Sequence, residues 1–397
     1  MYLTRKFHIE GTQQLERLSR ASAELWNDTC KWYWRTARRQ DHWLSKTAMR
    51  QWHCKGHDVL PSQTAQEVAE QFYEAVGSWH KGDRKGNPPK RCDKTYNVLR
   101  WTYQGVMLRD DGVLRLSTKR GEDSILIDWP VDTEPRTVEI GKRPGGFVVR
   151  AQYEAELIDR TTGNKVAGID LGEKHLAAVF TGDRGAFTIS GGELRALRHY
   201  QNKLKAKLDA KIGRKEPGSN RWKKLVRSKQ KQLDHIKGKI TDLLHKLSRK
   251  VVEMLLERRV SAIAIGDTRG IRDRIDFGSQ MNQRLHQWAY GEFARMIEYK
   301  AKLAGVTVEK IDEAYTSQKC PQCGYRQKPS GRDYTCSECG FHGHRDVVGA
   351  ANIRRKYVGE HSNESTLLPG VMASPSGVRF HPHLSCNSRS RRKTLGI

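Results

Sequence analysis

Four cysteines in two Cys-x-x-Cys pairs, Cys320-Pro-Gln-Cys323 and Cys336-Ser-Glu-Cys339, constrain this 397-residue chain more than any other stretch. Two such pairs separated by a short polar loop suit one tetrahedral zinc ion held by thiolates, and Gly324 and Gly340 follow the second cysteines where each knuckle must turn. A redox dithiol fits two pairs at this spacing less well. Acids flank the cysteines at Asp312, Glu313 and Asp346, and carboxylates are hard ligands of the kind magnesium takes. A zinc unit set between acids is expected to be mounted on a larger catalytic domain.

Charge says what the chain meets. Lys and Arg number 72 against 45 Asp and Glu, a formal net charge of +27. A compact chain of that charge repels itself unless a polyanion compensates, so nucleic acid is the expected partner. A soluble basic protein or a ribosome-associated factor would share the same balance. With 37% hydrophobic residues and the glycines added, the composition is globular, which excludes wholesale disorder. The other four cysteines, Cys30, Cys54, Cys92 and Cys386, have no framework spacing, so a reduced compartment is expected. The N-terminal MYLTRKFHIEGT lacks an apolar core and no run reaches transmembrane length. The expected location is the prokaryotic cytoplasm, acting at the nucleoid, with no membrane partner.

Along the chain, residues 1–10 alternate as a strand, and 11–86 read as helices with an aromatic-rich stripe (Trp26, Trp32, Tyr33, Trp34, then Phe72, Tyr73, Trp79) better suited to a core than to base stacking. Strands are expected over Leu108–Leu116, Ile125–Trp129, Thr137–Ile140 and Gly146–Tyr153, broken by Asp-Asp-Gly, Arg-Gly and Pro-Gly-Gly turns. The economical topology lets the opening strand join this later sheet, as a small antiparallel barrel or sheet with the helices inserted. KVAGID then reads as a buried strand ending in Asp170, followed by the strands HLAAVF, AFTISGG, SAIAIG and VTVEKID. Long helices lie between about 193 and 258, and another runs from Asn282 to Leu303. Strands separated by helices indicate a mostly parallel core. Lys203, Lys205, Arg221, Lys223 and Lys224 crowd the long helices with few interleaved acids, which suggests a phosphate-facing surface.

Asp170 at a strand end and Asp346 at a helix start each have a plain alternative, as a turn aspartate and as a partner of the helix dipole. Their conjunction with the cysteine pairs is what carries meaning. GIDLGEKHLAAV at 168–179, the Ala-Ile-Ala-Ile strand at 262–265, AYTSQKCPQCG at 314–324, CSECG at 336–340 and HRDVVGAANI at 344–353 resemble TnpB, the RNA-guided nuclease family encoded by transposons and related to type V CRISPR effectors. LPSQTAQEVAEQF, in the N-terminal half, is similar to the family's helical region. The resemblance covers most of residues 1–357.

The resemblance implies an α/β and α+β multidomain protein: an RNase H-like RuvC core at 165–315 and 341–357 with an inserted zinc ribbon at 316–340. A β-barrel-like wedge at 1–10 and 87–160 would precede it, with a helical recognition insertion at 11–86. Residues 358–397 read as a disordered tail, since they are turn-rich and lack periodicity. The family's three acids hold Mg²⁺, and its zinc is structural. Asp170 matches the first acid and Asp346 the third, but Gly266 stands at the second, and glycine cannot bind a metal. Asp267, Glu298 and Glu313 are the replacements. Asp267 points to the opposite face of its strand, Glu298 suits an exposed helical position, and Glu313 ends the neighbouring core strand, so Glu313 is the expected ligand. The function implied is a magnesium-dependent DNA endonuclease using a guide RNA encoded near the element on double-stranded DNA beside a short adjacent motif. The alternatives are a guided DNA-binding repressor without cleavage, and a transposase that itself joins strands.

Overall fold

The computed structural model describes residues 1–82, 86–91, 95–158, 163–182, 185–267, 290–329, 331–361 and 376–378. Cys92, Cys386, the expected helix start at Asn282 and most of the tail lie outside them. The chain divides into two compact units, Met1–Glu156 and Leu157–Ile397. No helix among the described residues is long and apolar enough to cross a membrane.

In the first unit, β1 (Tyr2–Ile9) lies antiparallel to β7 (Gly146–Glu154), which continues through β6 (Pro135–Arg143) to β2 (Leu99–Thr102). The opening strand therefore does pair with the last strand of the unit, Tyr2 opposite Glu154. A second antiparallel sheet holds β3 (Val106–Leu108), β4 (Val113–Leu116) and β5 (Ile125–Asp128). The expected Asp-Asp-Gly turn divides the span 108–116, with Gly112 at a positive φ of 77°, so that β3 ends at Leu108 and β4 starts at Val113.

Three helices cover these sheets: α1 (Gln13–Gln40), the short α2 (Lys46–Met49) and α3 (Ser62–Lys81). Helix α1 starts where the Thr12 hydroxyl accepts the Leu15 N–H at 3.1 Å. Its stripe Leu15, Leu18 and Leu25 packs with Val68 of α3 onto Trp101, Val138 and Phe147 of the four-stranded sheet. The aromatic stripe is mainly core, as its period suggested: Tyr33 and Phe72 are buried together, and Trp26, Trp34 and Tyr73 pack against them.

The second unit is built on a six-stranded sheet. Strands β8 (Lys165–Asp170), β9 (His175–Phe180) and β10 (Ala186–Ser190) form an antiparallel meander. The chain then runs through α4 (Gly192–Gly213) and α5 (Asn220–Glu257) before β11 (Val260–Gly266) enters parallel to β8. After α6 (Tyr290–Leu303), β12 (Thr307–Ile311) adds in parallel beyond β11. A two-stranded hairpin, β13 (Asp333–Thr335) with β14 (His342–His344), precedes α7 (Arg345–His361).

The pleat sorts each core strand between two faces. Ala167, Ile169, Ile263 and Ile265 are buried with Leu244, Leu247, Val251 and Leu255 of α5 and Phe293 and Ile297 of α6. Burying each of the isoleucine, leucine, valine and phenylalanine side chains among these stabilises the fold by about 1.5–3 kcal/mol. The residues between them in sequence, Gly168, Asp170, Ala264 and Gly266, therefore belong to the opposite face. Helix α7 lies there: a Cβ on Gly168 would collide with the Ala350 carbonyl, and Ile353 is buried with Ala264 and Ile311.

The tail read as disordered from 358 is corrected at two points. Helix α7 continues to His361, its last turns anchored by Tyr357 against Ala264, Ile311 and Ile353. Ser376–Val378 forms β15, parallel to β10 with Phe187 opposite Ser376. Strand pairing of this kind uses backbone groups that β10 would otherwise leave open at the sheet edge, so it needs no side-chain pattern.

Candidate active site and metal centre

Register and pleat deliver the acids to one place. Asp170 ends β8 on the α7 face, level with Gly266, since Ile169 pairs with Ile265. Glu313 lies two residues past β12, where its carbonyl accepts from the Thr316 N–H at 3.1 Å and the Thr316 hydroxyl at 2.8 Å. Asp346 is the second residue of α7. Asp170, Glu313 and Asp346 line one open cavity of about 440 Å³, together with Thr316, Ser317, Gly331, Arg332 and Arg345.

Gly266 explains how Glu313 reaches this cavity. A Cβ built on Gly266 would lie 2.6 Å from Glu313 Oε2 and 3.2 Å from Ile353 Cδ1. The carboxylate of Glu313 therefore occupies the space that a side chain at 266 would take. Gly349 makes room in the same way, since its Cβ would stand 2.6 Å from Asp170 Oδ2. Glu313 Oε2 is buried with no hydrogen-bond partner among the described residues, and an orphaned buried acceptor of this kind calls for a cation or a proton.

Electrostatics point the same way. Burial raises the Asp170 carboxyl well above its ordinary range, and the charges of Glu313 and Asp346 raise it further. Burial likewise pushes Glu313 up to about 7, with Asp267 and Asp312 adding to the effect. Asp346 is compensated instead: Arg332 donates to its Oδ1 at 2.9 Å and Oδ2 at 2.6 Å, and Nδ1 of His175 lies 2.7 Å from Oδ2. Three clustered carboxylates, two of them with their charged forms disfavoured by burial and like charge, fit a hard divalent cation.

The other two candidate acids are elsewhere. Asp267 does not line the cavity; its backbone N–H donates to the Ile311 carbonyl at 2.8 Å. Glu298 sits on α6, paired with Lys302 at 2.9 Å and Lys310 at 3.5 Å, and the hydrogen bond from Lys302 holds its carboxyl below the usual range.

The four cysteines converge as their spacing predicts. Cys320 Sγ lies 3.6 Å from Cys339 Sγ, and Cys323 Sγ lies 3.6 Å from Cys336 Sγ. Thiolates around one zinc with bonds of about 2.3 Å stand about 3.8 Å apart in a tetrahedron, so this cluster could bind zinc. Gly324 and Gly340 turn the knuckles at φ of 79° and 71°. Beneath them Tyr334 and Phe341 are buried with Val347 and Val348 of α7. Asn352 Nδ2 donates to the carbonyls of Thr316 and Lys319 at 2.7 and 2.6 Å, tying α7 to the start of the cysteine segment.

Lys203 and Lys205 on α4 and Arg221, Lys223 and Lys224 on α5 are all exposed. The two helices are linked by an ion pair between Asp209 and Lys229.

His175, His344 and Arg332 were not singled out in the sequence, yet all three border Asp346. His344 stands two residues before that acid, a proximity visible in the sequence. Arg332 carried no signal, because its approach depends on the β13–β14 hairpin.

Two family models match the chain: one described as "Probable transposase" over residues 147–272 and the Cas12f1-like TNB domain over residues 290–353. A TnpB-like protein of Methanocaldococcus jannaschii is 31% identical over 191 residues, covering 47% of this chain and 67% of that protein. The CRISPR-associated endodeoxyribonuclease Cas12f1 of Sulfoacidibacillus thermotolerans is 30% identical over 203 residues, covering 48% of this chain and 45% of the other. A TnpB-like protein of Acidianus two-tailed virus is 28% identical over 267 residues, covering 64% and 56%. The chain thus spans between about half and two thirds of the length of these relatives. Among solved structures, a Cas12f1–sgRNA–target DNA complex shares the fold with a TM-score of 0.59 at 13% identity, covering 85% of this chain and 81% of that one.

Proposed function

This chain belongs to the TnpB family, and on that premise we propose that it is an RNA-guided DNA endonuclease of a transposable element, cutting guide-matched DNA beside a short adjacent motif by magnesium-dependent hydrolysis. The observation that carries the reading is the convergence of Asp170, Glu313 and Asp346 on one cavity, with Gly266 leaving the room that Glu313 fills. The relatives named for endonuclease activity support the same class.

Asp170, Glu313 and Asp346 would hold Mg²⁺, which when bound polarises the phosphodiester and supplies an activated water. The chain's own groups prepare that place. Burial disfavours the charged forms of Glu313 and Asp170, and a bound cation would relieve that cost. Arg332 holds Asp346 in position from the cavity rim. The cysteine cluster with structural zinc would fix the hairpin that presents Arg332. The second unit is read as the RuvC-like nuclease domain with its inserted ribbon, and the first as wedge plus helical recognition insertion.

The partners are a guide RNA encoded near the element and target double-stranded DNA, in the cytoplasm. Lys203, Lys205, Arg221, Lys223 and Lys224 would meet phosphate. Target sequence would be read by base pairing, with the protein reading only the adjacent motif. The alternative without cleavage, a guided repressor, draws on the missing acid at 266, and Glu313 standing in its space weighs against it.

The test is to copurify the protein with cellular RNA, sequence that RNA, and incubate the complex with matching duplex DNA and magnesium. Cleavage by the wild type and its loss in Glu313→Ala are expected. Binding without cleavage would favour the repressor, and undiminished cleavage by Glu313→Ala would remove Glu313 from the site.

A further inference from the structure

Asp346 faces two imidazoles as well as the carboxylates of the cavity. His175 opens β9, His344 closes β14, and Asp346 lies in the first turn of α7, so a sheet strand, a hairpin and a helix start each bring one side chain to the same spot. The two histidine rings meet edge to face with centroids 5.1 Å apart. One nitrogen from each and one Asp346 oxygen all fall within 4.8 Å of one another. The side chains of His175 and Asp346 are only 18% and 16% exposed, so neither swings freely in solvent.

We propose that His175, His344 and Asp346 form a second metal site, a two-histidine, one-carboxylate face for a borderline divalent cation of the manganese, iron, cobalt or zinc class. Imidazole nitrogens suit such ions, whereas magnesium prefers the all-oxygen set on the other side of Asp346. The geometry is close to what ligation needs. Two ligands with bonds of about 2.1 Å stand about 3 Å apart around one ion, and His175 Nδ1 and Asp346 Oδ2 are already 2.7 Å apart. His344 has to approach by less than about 2 Å, within reach of a side-chain rotation. Its Nδ1 accepts a hydrogen bond from the Asp346 N–H that is long, at 3.3 Å, so the bond that ligation by His344 has to give up is a weak one. The cation takes the place of the proton that His175 shares with Oδ2, while Arg332 at 2.6 Å competes for the same oxygen from the rim.

The proposal shares Asp346 with the nuclease reading but does not rest on it, since metal binding is measured without RNA or DNA. Cobalt(II) alone is titrated into the full chain carrying one zinc, with magnesium in excess to fill the all-oxygen pocket. Visible ligand-field absorption reports affinity, and hyperfine-shifted imidazole N–H resonances report the ligands. The wild type is expected to bind one cobalt with two shifted imidazole signals. His175→Ala and His344→Ala each weaken binding at least about tenfold, while Asp170→Asn leaves it within about twofold and loses DNA cleavage if the nuclease reading holds. No shifted imidazole signal in the wild type overturns the proposal. So does unchanged cobalt affinity in both histidine variants with native circular dichroism and one zinc retained. If a variant fails to fold, the wild-type resonances decide alone.

Discussion

Glu313 and Gly266 contest one small volume, and the catalytic reading turns on that contest. Gly266→Ala would set a methyl 2.6 Å from Glu313 Oε2, so the carboxylate must leave its place. A displacement of about 1 Å at a reacting centre costs about a hundredfold in rate, and cleavage assays of Gly266→Ala should show a loss of that order with little change in melting temperature. Moving the acid back, as Gly266→Glu with Glu313→Gly, should recover part of the activity that Glu313→Gly alone loses. The two addresses exclude each other: the adjacency of β11 and β12 was expected from the family resemblance, whereas the shared volume is a matter of side-chain packing that sequence does not display. Asp170 and Asp346 were legible as a strand end and a helix start; His175 and Arg332 were not, since neither has a fixed sequence offset from the acid it touches. Glu313 also fixes a pH dependence. Its folded pKa of about 7 stands above the ordinary 4.5, so the wild type is relieved of the cost below about 4.5 and bears it increasingly as pH rises through about 7. In metal-free protein, Glu313→Gln should therefore be the more stable form above neutrality, by at most about 3 kcal/mol, with the gap nearly closed at about pH 4. Urea melts at the two pH values check this, and equal differences at both would refute the assignment.

At the scale of elements, the cysteine segment connects two of the acids rather than standing beside them. It leaves from Glu313, carries Tyr334 and Phe341 into a core shared with α7, and returns at Asp346. Removing its metal should loosen the hairpin that holds Arg332 and His344, and so disturb Asp346 without touching Asp170. We expect one zinc per chain by elemental analysis. Cys320→Ser should lose that zinc, lower the melting temperature and abolish cleavage even at saturating magnesium; retained cleavage in a zinc-free variant would limit the segment to another role. The knuckles themselves were plain from spacing, because a thiolate pair on one turn is a local device. The pairing of Asp333 with His344 that aims Arg332 at the acid is a matter of register, which a short polar strand does not announce. The same limit hid β15: three residues pairing through backbone leave no periodicity to read.

For the molecule as a whole, the net charge of +27 and the alternation of strands and helices were legible from composition and period alone. Reversing Lys203, Lys205, Arg221, Lys223 and Lys224 to glutamate should weaken binding to any RNA, matched or not. The slope of log K against log salt should become shallower by up to about four, from about 0.7–0.9 for each phosphate that the protein no longer neutralises. Fluorescence anisotropy across a salt series measures both, and an unchanged slope would show that this face meets no phosphate. The return of β1 to β7 followed from topological economy, whereas the docking of a late segment onto β10 did not. That docking has a consequence for solubility. By laying Ser376–Val378 along Phe187–Ile189, the chain occupies with its own backbone a template that a second copy could otherwise use. A version cut before residue 376 would carry an open seam on its central sheet and should self-associate as its concentration rises.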